Sequence, residues 1–401
     1  MKPLVVSSRA VSIRVQNFQF VIDDYFNRSC QTFPPHELPF DLLVISNSTG
    51  NLSISAIKFL VAHKIPVLFL DWGGASLGSL TPPGSIGGTL QIAQLRACLD
   101  PKKRRYIASK FLEEKFAKSL QLLRHLRRYY PAVDPSNLER EIRRPTPARV
   151  RDIHGTLMAK EARVAVAYFG ELGKVVNELA PEFGFKSRGQ STTSNNMSAS
   201  DPFNVCLNVA YGVIECWVRA AVNQAGFNEA VGFLHEAQAG ALPLVYDSME
   251  PFRWLGDYSL IQLLEKRILD KADFRFTEEL RLRMKPEAIR MIVDRLACNF
   301  GRKTPGSGGQ RKYDTVMTDN SRKLARFLTG STKSMDFGVP FAMDNLQVDA
   351  QLRERLLHLT VEERKRLGIP KTTYFYIRRA GTSRMSFRLN RTMRDRLSRA
   401  S

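Results

Sequence analysis

The chain has 401 residues, with 60 Lys and Arg against 39 Asp and Glu, for a formal net charge of +21. Its 43% hydrophobic and 25% charged content is ordinary for folded proteins, which excludes wholesale disorder and leaves room for two or three domains. The purest apolar run, Ile65–Leu70, has six residues, against the roughly 20 that a membrane-spanning helix needs.

Residues 1–85 are expected to form a β-rich domain. Leu4–Val6, Val11–Val15, Phe18–Ile22 and Leu42–Ile45 are short β-branched or aromatic runs separated by turn residues. Ser53 is placed to cap a helix over Ile54–His63, and Ile65–Leu70 returns as a buried strand. Pro82-Pro83-Gly84 and Gly87-Gly88 then break the pattern. The N-terminus lacks a long apolar stretch before a small-residue cleavage site, so a cytoplasmic protein is expected. Cys30, Cys98, Cys206, Cys216 and Cys298 are far apart with no Cys-x-x-Cys pair, and are expected to be reduced thiols, mostly in the core.

From about residue 90 to 330 the period becomes helical, predicting an all-helical second domain and an α+β protein overall. Leu112, Phe116, Leu120 and Leu123 make one apolar stripe, with Lys115, Lys118, Arg124, Arg127 and Arg128 mostly on other faces. Further helices are expected over about 147–180, 203–225, 228–238, 257–269, 276–284 and 286–299. Ser187–Ser200 and Lys303–Lys312 are too polar to pack and are expected to be loops. Lys186 and Arg188 make the first either a segment that orders on a phosphate backbone or a plain surface loop.

The charge is unevenly spread. Residues 101–150 carry 14 basic and 5 acidic side chains and residues 301–401 carry 22 and 9, whereas residues 151–300 carry 17 and 19. Two basic segments around a slightly acidic middle suit a polyanion gripped beside a separate reactive centre; solvated helix faces are the alternative. The middle holds His154 and His235, and His235 is followed by Asp247 and Glu250. The last two, three apart, would project from one helix face. Asp247 follows the apolar run Leu242–Tyr246, where an unpaired carboxylate is costly. With Glu161 from a preceding helix, one imidazole and two or three carboxylates make a hard donor set suited to Mg²⁺ or Mn²⁺. The same residues would also serve as structural hydrogen-bonding groups.

Over roughly residues 3–330 the sequence resembles the CRISPR-associated spacer-acquisition integrases, the Cas-one family. The resemblance is carried by LLVISNSTGNLSISAIKFLVAHKIPVLFLDWGG, by LMAKEARVAVAYF, and by the long run from DPFNVCLNVAYG through VGFLHEAQAG to VYDSMEPFR. The chain departs from it at Ala159-Lys160-Glu161-Ala162, where the family often has Gly-Ile-Glu-Gly, and at Ala241–Leu244. The resemblance implies that Glu161, His235 and Glu250 bind the divalent cation, with Asp247 as an adjacent acidic residue of the catalytic set. It further implies a homodimer, double-stranded and branched DNA as substrate, and a small Cas-two partner if the chain serves CRISPR adaptation. The implied reaction joins a DNA 3′-OH into a target strand; casposases, the transposon-encoded relatives, are the alternative. A non-catalytic DNA-binding scaffold is the reading from another class. Arg253 is placed to contact phosphate, to buttress the carboxylates, or to form a plain ion pair.

Residues 350–401 are expected to be a basic extension. Thr360 and Glu363 have capping-box spacing, Leu367-Gly368-Ile369 makes a turn, and a second helix would run from Pro370 to Arg378-Arg379. This resembles a helix-turn-helix, in which Lys371, Thr372, Thr373, Tyr376, Arg378 and Arg379 would meet DNA. A basic hairpin packed on the main domain is the alternative.

Overall fold

The computed structural model describes residues 2–8, 10–46, 49–71, 73–82, 84, 87–145, 153–188, 201–238, 240–276, 282–306, 309–343, 358–371 and 374–375. The fold is α+β. In chain order the N-terminal part runs β1 (Pro3–Val6), β2 (Val11–Gln16), β3 (Gln19–Asp24), β4 (Ser29–Phe33), β5 (Leu42–Ser46), β6 (Gly50–Leu52), α1 (Ile54–Ala62), β7 (Val67–Leu70) and β8 (Ser76–Leu80). One sheet has the order β1-β5-β7-β8, parallel except for the last pair. The other has the order β4-β3-β2-β6, with β6 parallel to β2.

The first sheet is covered on both faces, which explains its continuous apolar strands. Leu43 and Val67 join Ile13, Phe20, Ile22 and Leu60 in a core shared with the second sheet and α1. Their neighbours Leu42, Val44, Leu68 and Leu70 turn the other way into the large helical core. The three strands absent from the sequence expectation, β4, β6 and β8, all lie at sheet edges. Their residues are exposed or half-buried, so no apolar alternation marks them.

Gly74 sits at the joint between strands and helices. Its φ of +78° is left-handed, and a Cβ there would fall 2.3 Å from Val209 Cγ2. Gly74→Ala should therefore cost roughly 2–4 kcal/mol, from backbone strain plus overpacking. Thermal denaturation checks this, and an unchanged melting temperature would mean that the joint relaxes freely.

The helical part contains α2 (Gly88–Leu99), α3 (Pro101–Leu126), α4 (Pro135–Arg143), α5 (Ile153–Leu179), α6 (Pro202–Gln224), α7 (Pro243–Met249), α8 (Arg253–Glu265) and, after a β9–β10 hairpin (Phe274–Phe276, Leu282–Met284), α9 (Pro286–Phe300). A second hairpin, β11–β12 (Lys303–Gly306, Gly309–Lys312), precedes α10 (Tyr313–Leu328), and α11 (Val361–Arg366) lies in the C-terminal extension. Three helices begin with the same Asp-Pro pair. Asp100, Asp134 and Asp201 each accept a hydrogen bond from a first-turn backbone N–H, and the following proline occupies a position where its missing N–H costs nothing. Helix α6 is long and apolar enough to cross a membrane by length and composition, a feature the six-residue run concealed, but it is mostly buried inside the protein. Its apolarity is that of a core helix.

Three expectations are corrected. The helix expected over 276–284 is contradicted at both ends of that range: Phe274 pairs with Met284 and Phe276 with Leu282 as antiparallel strands, with Phe274, Leu282 and Met284 buried, and residues 277–281 lie outside the described residues. Residues 303–312 are not an irregular loop but a hairpin whose register runs from Lys303↔Lys312 to Gly306↔Gly309, secured by Thr304 Oγ1 donating to Arg311 O at 2.9 Å. Residues 228–238 form no helix. Their backbone groups are satisfied from outside. Gln94 donates to Asn228 O and Val231 O and accepts from Asn228 N, Cys98 Sγ donates to Gly232 O, and Arg104 Nε donates to Phe233 O.

Candidate active site

The bound loop 228–238 delivers His235, and Asp247 on α7 locks it. Asp247 is fully buried. Its Oδ2 accepts from the backbone N–H of Phe233 (2.6 Å) and Leu234 (2.9 Å), and its Oδ1 accepts from His235 N (2.9 Å) and sits 2.7 Å from His235 Nδ1. Four donors converge on one carboxylate, which answers the burial problem raised by the sequence. With Nδ1–H donating to Asp247, the Nε2 lone pair is left for a ligand. Burial disfavours the imidazolium, but the hydrogen bond to Asp247 together with the negative charges of Asp247 and Glu250 outweighs it and raises the His235 pKa.

Glu250 does not share a partner with Asp247. It lies in the 3₁₀ turn (Glu250–Phe252) after α7 and points to α3 and α8. Arg253 Nε donates to its Oε1 at 3.0 Å, and Lys115 Nζ lies 2.6 Å from its Oε2. Burial opposes ionisation of Glu250, yet the Arg253 guanidinium and the Lys115 ammonium prevail and hold its pKa at about 2. Lys115 Nζ also donates to Glu161 Oε1 on α5 at 2.5 Å. One ammonium thus bridges the two carboxylates, so Lys115 faces inward and not to solvent. Lys118, placed like Lys115 mostly off the apolar stripe, is buried against Glu114 and Gln121.

These groups line one cleft of about 520 Å³, with Lys115, Glu161, His235, Glu250 and Arg253 on its wall. Lys186 and Arg188 line it too. Arg188 is held by Asn204 Oδ1 (3.1 Å) and Asn208 Oδ1 (2.9 Å) of α6, and its guanidinium lies 5.3 Å from the Tyr211 ring. Arg253 lies 4.8 Å from the same ring. The cleft floor is Asp257 on α8, which accepts from Tyr168 Oη (2.6 Å) and Tyr211 Oη (2.7 Å). Burial pushes the pKa of Asp257 up, against those hydrogen bonds.

The donor chemistry fits a hard divalent cation. Glu161 and Glu250 already share a resident cation, the Lys115 ammonium, which lies 2.6 Å from a Glu250 Oε2 that is sealed from solvent. His235 lines the same cleft, although among the described residues no three His, Cys, Asp or Glu side chains are gathered tightly enough to hold a metal as they stand.

A strand-rich N-terminal part joined to helices around this cleft matches known proteins. Residues 4–297 match the family model described as CRISPR associated protein Cas1. The chain belongs to the Cas1 family. It is 23% identical over 348 residues to the CRISPR-associated endonuclease Cas1 1 of Archaeoglobus fulgidus, an alignment covering 83% of this chain and 98% of that protein. It is 26% identical over 286 residues to a Cas4 exonuclease/Cas1 endonuclease fusion of Rhodospirillum rubrum, covering 70% of this chain but only 48% of the fusion. Among solved structures, a casposase bound to integration product superposes with a TM-score of 0.78 at 28% identity, covering 88% of this chain and 98% of that one.

Lys115, Tyr168, Tyr211 and Asp257 were missing from the candidate set. Lys115 carries no local signal, because its partners lie on other helices. Of the proposed C-terminal DNA contacts, Lys371 is exposed, whereas Thr372, Thr373, Tyr376, Arg378 and Arg379 lie outside the described residues. Residues 189–200 of the first polar loop do as well. The capping box is present: Glu363 N donates to Thr360 Oγ1 at 3.2 Å, and Thr360 N donates to the Glu363 carboxylate at 2.9 Å.

Proposed function

We propose that this Cas1-family chain is a divalent-metal-dependent DNA integrase that joins the 3′-OH of a short DNA fragment into a target strand by transesterification. The observation that carries the reading is the pair of carboxylates, Glu161 and Glu250, sharing the Lys115 ammonium in a cleft lined also by His235, Lys186, Arg188 and Arg253. Glu161, His235 and Glu250 would hold Mg²⁺ or Mn²⁺. Such an ion, when bound, polarises the scissile phosphate and lowers the pKa of the attacking hydroxyl. Asp247 keeps the His235 Nε2 lone pair directed outward, and Arg253 pins Glu250 in its ionised form. Arg188, pre-positioned by two asparagines, suits a phosphate oxygen. One phosphodiester is exchanged for another, so no external energy source is needed. Water in place of the hydroxyl would make the same site a nuclease.

Charge placement supports a DNA substrate. Lys102, Lys103 and Arg105 stand exposed in the first turns of α3, where the helix dipole disfavours cations. That placement costs stability and suits a polyanion. Purified protein with Mn²⁺ or Mg²⁺ should join a labelled 3′-OH duplex into plasmid DNA, and EDTA should stop it. DNA binding with neither joining nor cleavage would leave the scaffold reading standing. The reaction partners in the CRISPR reading are a repeat array and a small Cas2 protein acting with a homodimer. The casposase reading is supported by the TM-score of 0.78 at 28% identity to a casposase; unaided joining of transposon ends, indifferent to Cas2, would select it.

The C-terminal extension is proposed to grip phosphates. Residues 350–401 contain 14 Lys and Arg. Deleting them should weaken binding and flatten its salt dependence, by about 0.9 in log–log slope for each phosphate no longer neutralised. A filter-binding series across salt concentrations measures this, and an unchanged slope would assign the extension another task.

A further inference from the structure

Lys115 is not accounted for by the reaction just proposed. It reaches from α3 into a site whose acidic groups come from α5 and from the turn after α7, and its ammonium touches both Glu161 (2.5 Å) and Glu250 (2.6 Å). Glu250 is 4% exposed, and Arg253 occupies its other oxygen. The Lys115 side chain is itself 16% exposed, at the wall of the cleft shared with Lys186 and Arg188.

The local charge count is balanced without any metal: two carboxylates face the Lys115 ammonium and the Arg253 guanidinium. A divalent ion added between Glu161 and Glu250 would face an ammonium at close range, and like charges that near repel strongly in a half-buried site. Arg253 is fixed from the far side by Glu250 and lies over the Tyr211 ring. Lys115 is the better placed of the two to leave, since it lines the cleft and carries its ammonium on a flexible four-carbon stem.

We propose that Lys115 is a resident cation that holds Glu161 and Glu250 together before metal arrives and competes with the metal for them, so that full metal loading requires the ammonium to move onto a DNA phosphate. This rests on the metal-dependent reading above. In exchange, a +1 charge leaves the carboxylate pair and a +2 charge enters. The displaced ammonium finds its anionic partner in the substrate, whose backbone would lie in the same cleft. By linkage, DNA that takes up the ammonium tightens metal binding, and metal tightens DNA binding by the same factor.

The test is calorimetric titration of MnCl₂ into the full-length protein, with and without a DNA duplex, for the wild type, Lys115→Met and Lys115→Arg. Lys115→Met should bind Mn²⁺ about tenfold or more tighter than the wild type in the absence of DNA. DNA should tighten Mn²⁺ binding to the wild type by a larger factor than to Lys115→Met, in which only the phosphate's own contact with the ion remains. Lys115→Arg, which keeps the charge, should stay close to the wild type. Lys115→Gln gives the same readout should the methionine variant fold poorly. In EDTA, Lys115→Met should melt below the wild type, and adding Glu161→Gln should recover part of the loss by removing the facing charge. Equal or weaker Mn²⁺ binding by the uncharged variants overturns the competition while leaving the metal site standing. Absence of Mn²⁺ binding to every form overturns the metal site and, with it, the exchange.

Discussion

Glu161→Gln and His235→Ala should each lower DNA strand joining by about a thousandfold or more, equivalent to roughly 4 kcal/mol of lost transition-state stabilisation. DNA retention at moderate salt should stay close to that of the wild type. The separation follows from where the charges sit. Glu161 and His235 line the cleft, whereas the basic excess lies in residues 101–150 and 301–401. Glu161→Gln keeps the shape of the side chain and leaves Lys115 its ion pair with Glu250, so the fold should survive, and a melting curve within a few degrees of the wild type verifies it. His235 is held in place by a loop whose backbone is anchored by Gln94, Cys98, Arg104 and Asp247, and its ring is partly exposed, so its removal leaves the anchors intact. A joining assay on gel-purified branched product distinguishes integration from nicking. Robust joining by either variant would remove that residue from the reaction and with it the proposed donor set.

Legibility followed burial and sequence distance. Leu42–Ile45 and Ile65–Leu70 were readable as strands because both sheet faces are covered, which forces uninterrupted apolar runs. Ser29–Phe33 was not, because an edge strand needs partners for its backbone on one side only and little burial of its side chains. Residues 228–238 were expected to form a helix and do not. The decisive groups were the carboxylate of Asp247 and the amide of Gln94, which satisfy the backbone from far along the chain. Glu161, His235 and Glu250 were suggested by family motifs and are brought to one cleft. Lys115 resembled any solvated lysine on a basic helix until the fold set Glu161 against it. Spacing reports on neighbours within a helix or strand; it is silent on a salt bridge among three helices.

Asp247 separates the two tasks, building the loop and tuning the imidazole, and its variants should show both. Asp247→Ala removes one acceptor from four donors: the N–H groups of Phe233, Leu234 and His235, and His235 Nδ1. Each buried donor left unsatisfied costs about 1–3 kcal/mol. Water entering the vacated space will recover some of this, so a loss of roughly 3–5 kcal/mol is expected, visible as an early transition in denaturant unfolding. Asp247→Asn is the more informative change. With its carbonyl oxygen in the place of Oδ2, the new side chain can still accept from Phe233 and Leu234 N–H, though not from His235 N–H, so part of the stability should remain. Its amide, however, donates where the carboxylate accepted, which turns His235 Nδ1 into an acceptor and moves the ring proton to Nε2. The lone pair is then directed at the substituted amide and away from the cleft. Metal affinity should fall about 10–100-fold, as is usual when the partner orienting a histidine ligand is removed, and joining should fall with it. Raising Mn²⁺ should recover part of the asparagine variant's activity and raise its melting temperature as the site fills. If Asp247→Asn joins DNA as the wild type does at low Mn²⁺, the carboxylate serves only to tie the loop, and His235 works without help from its orientation.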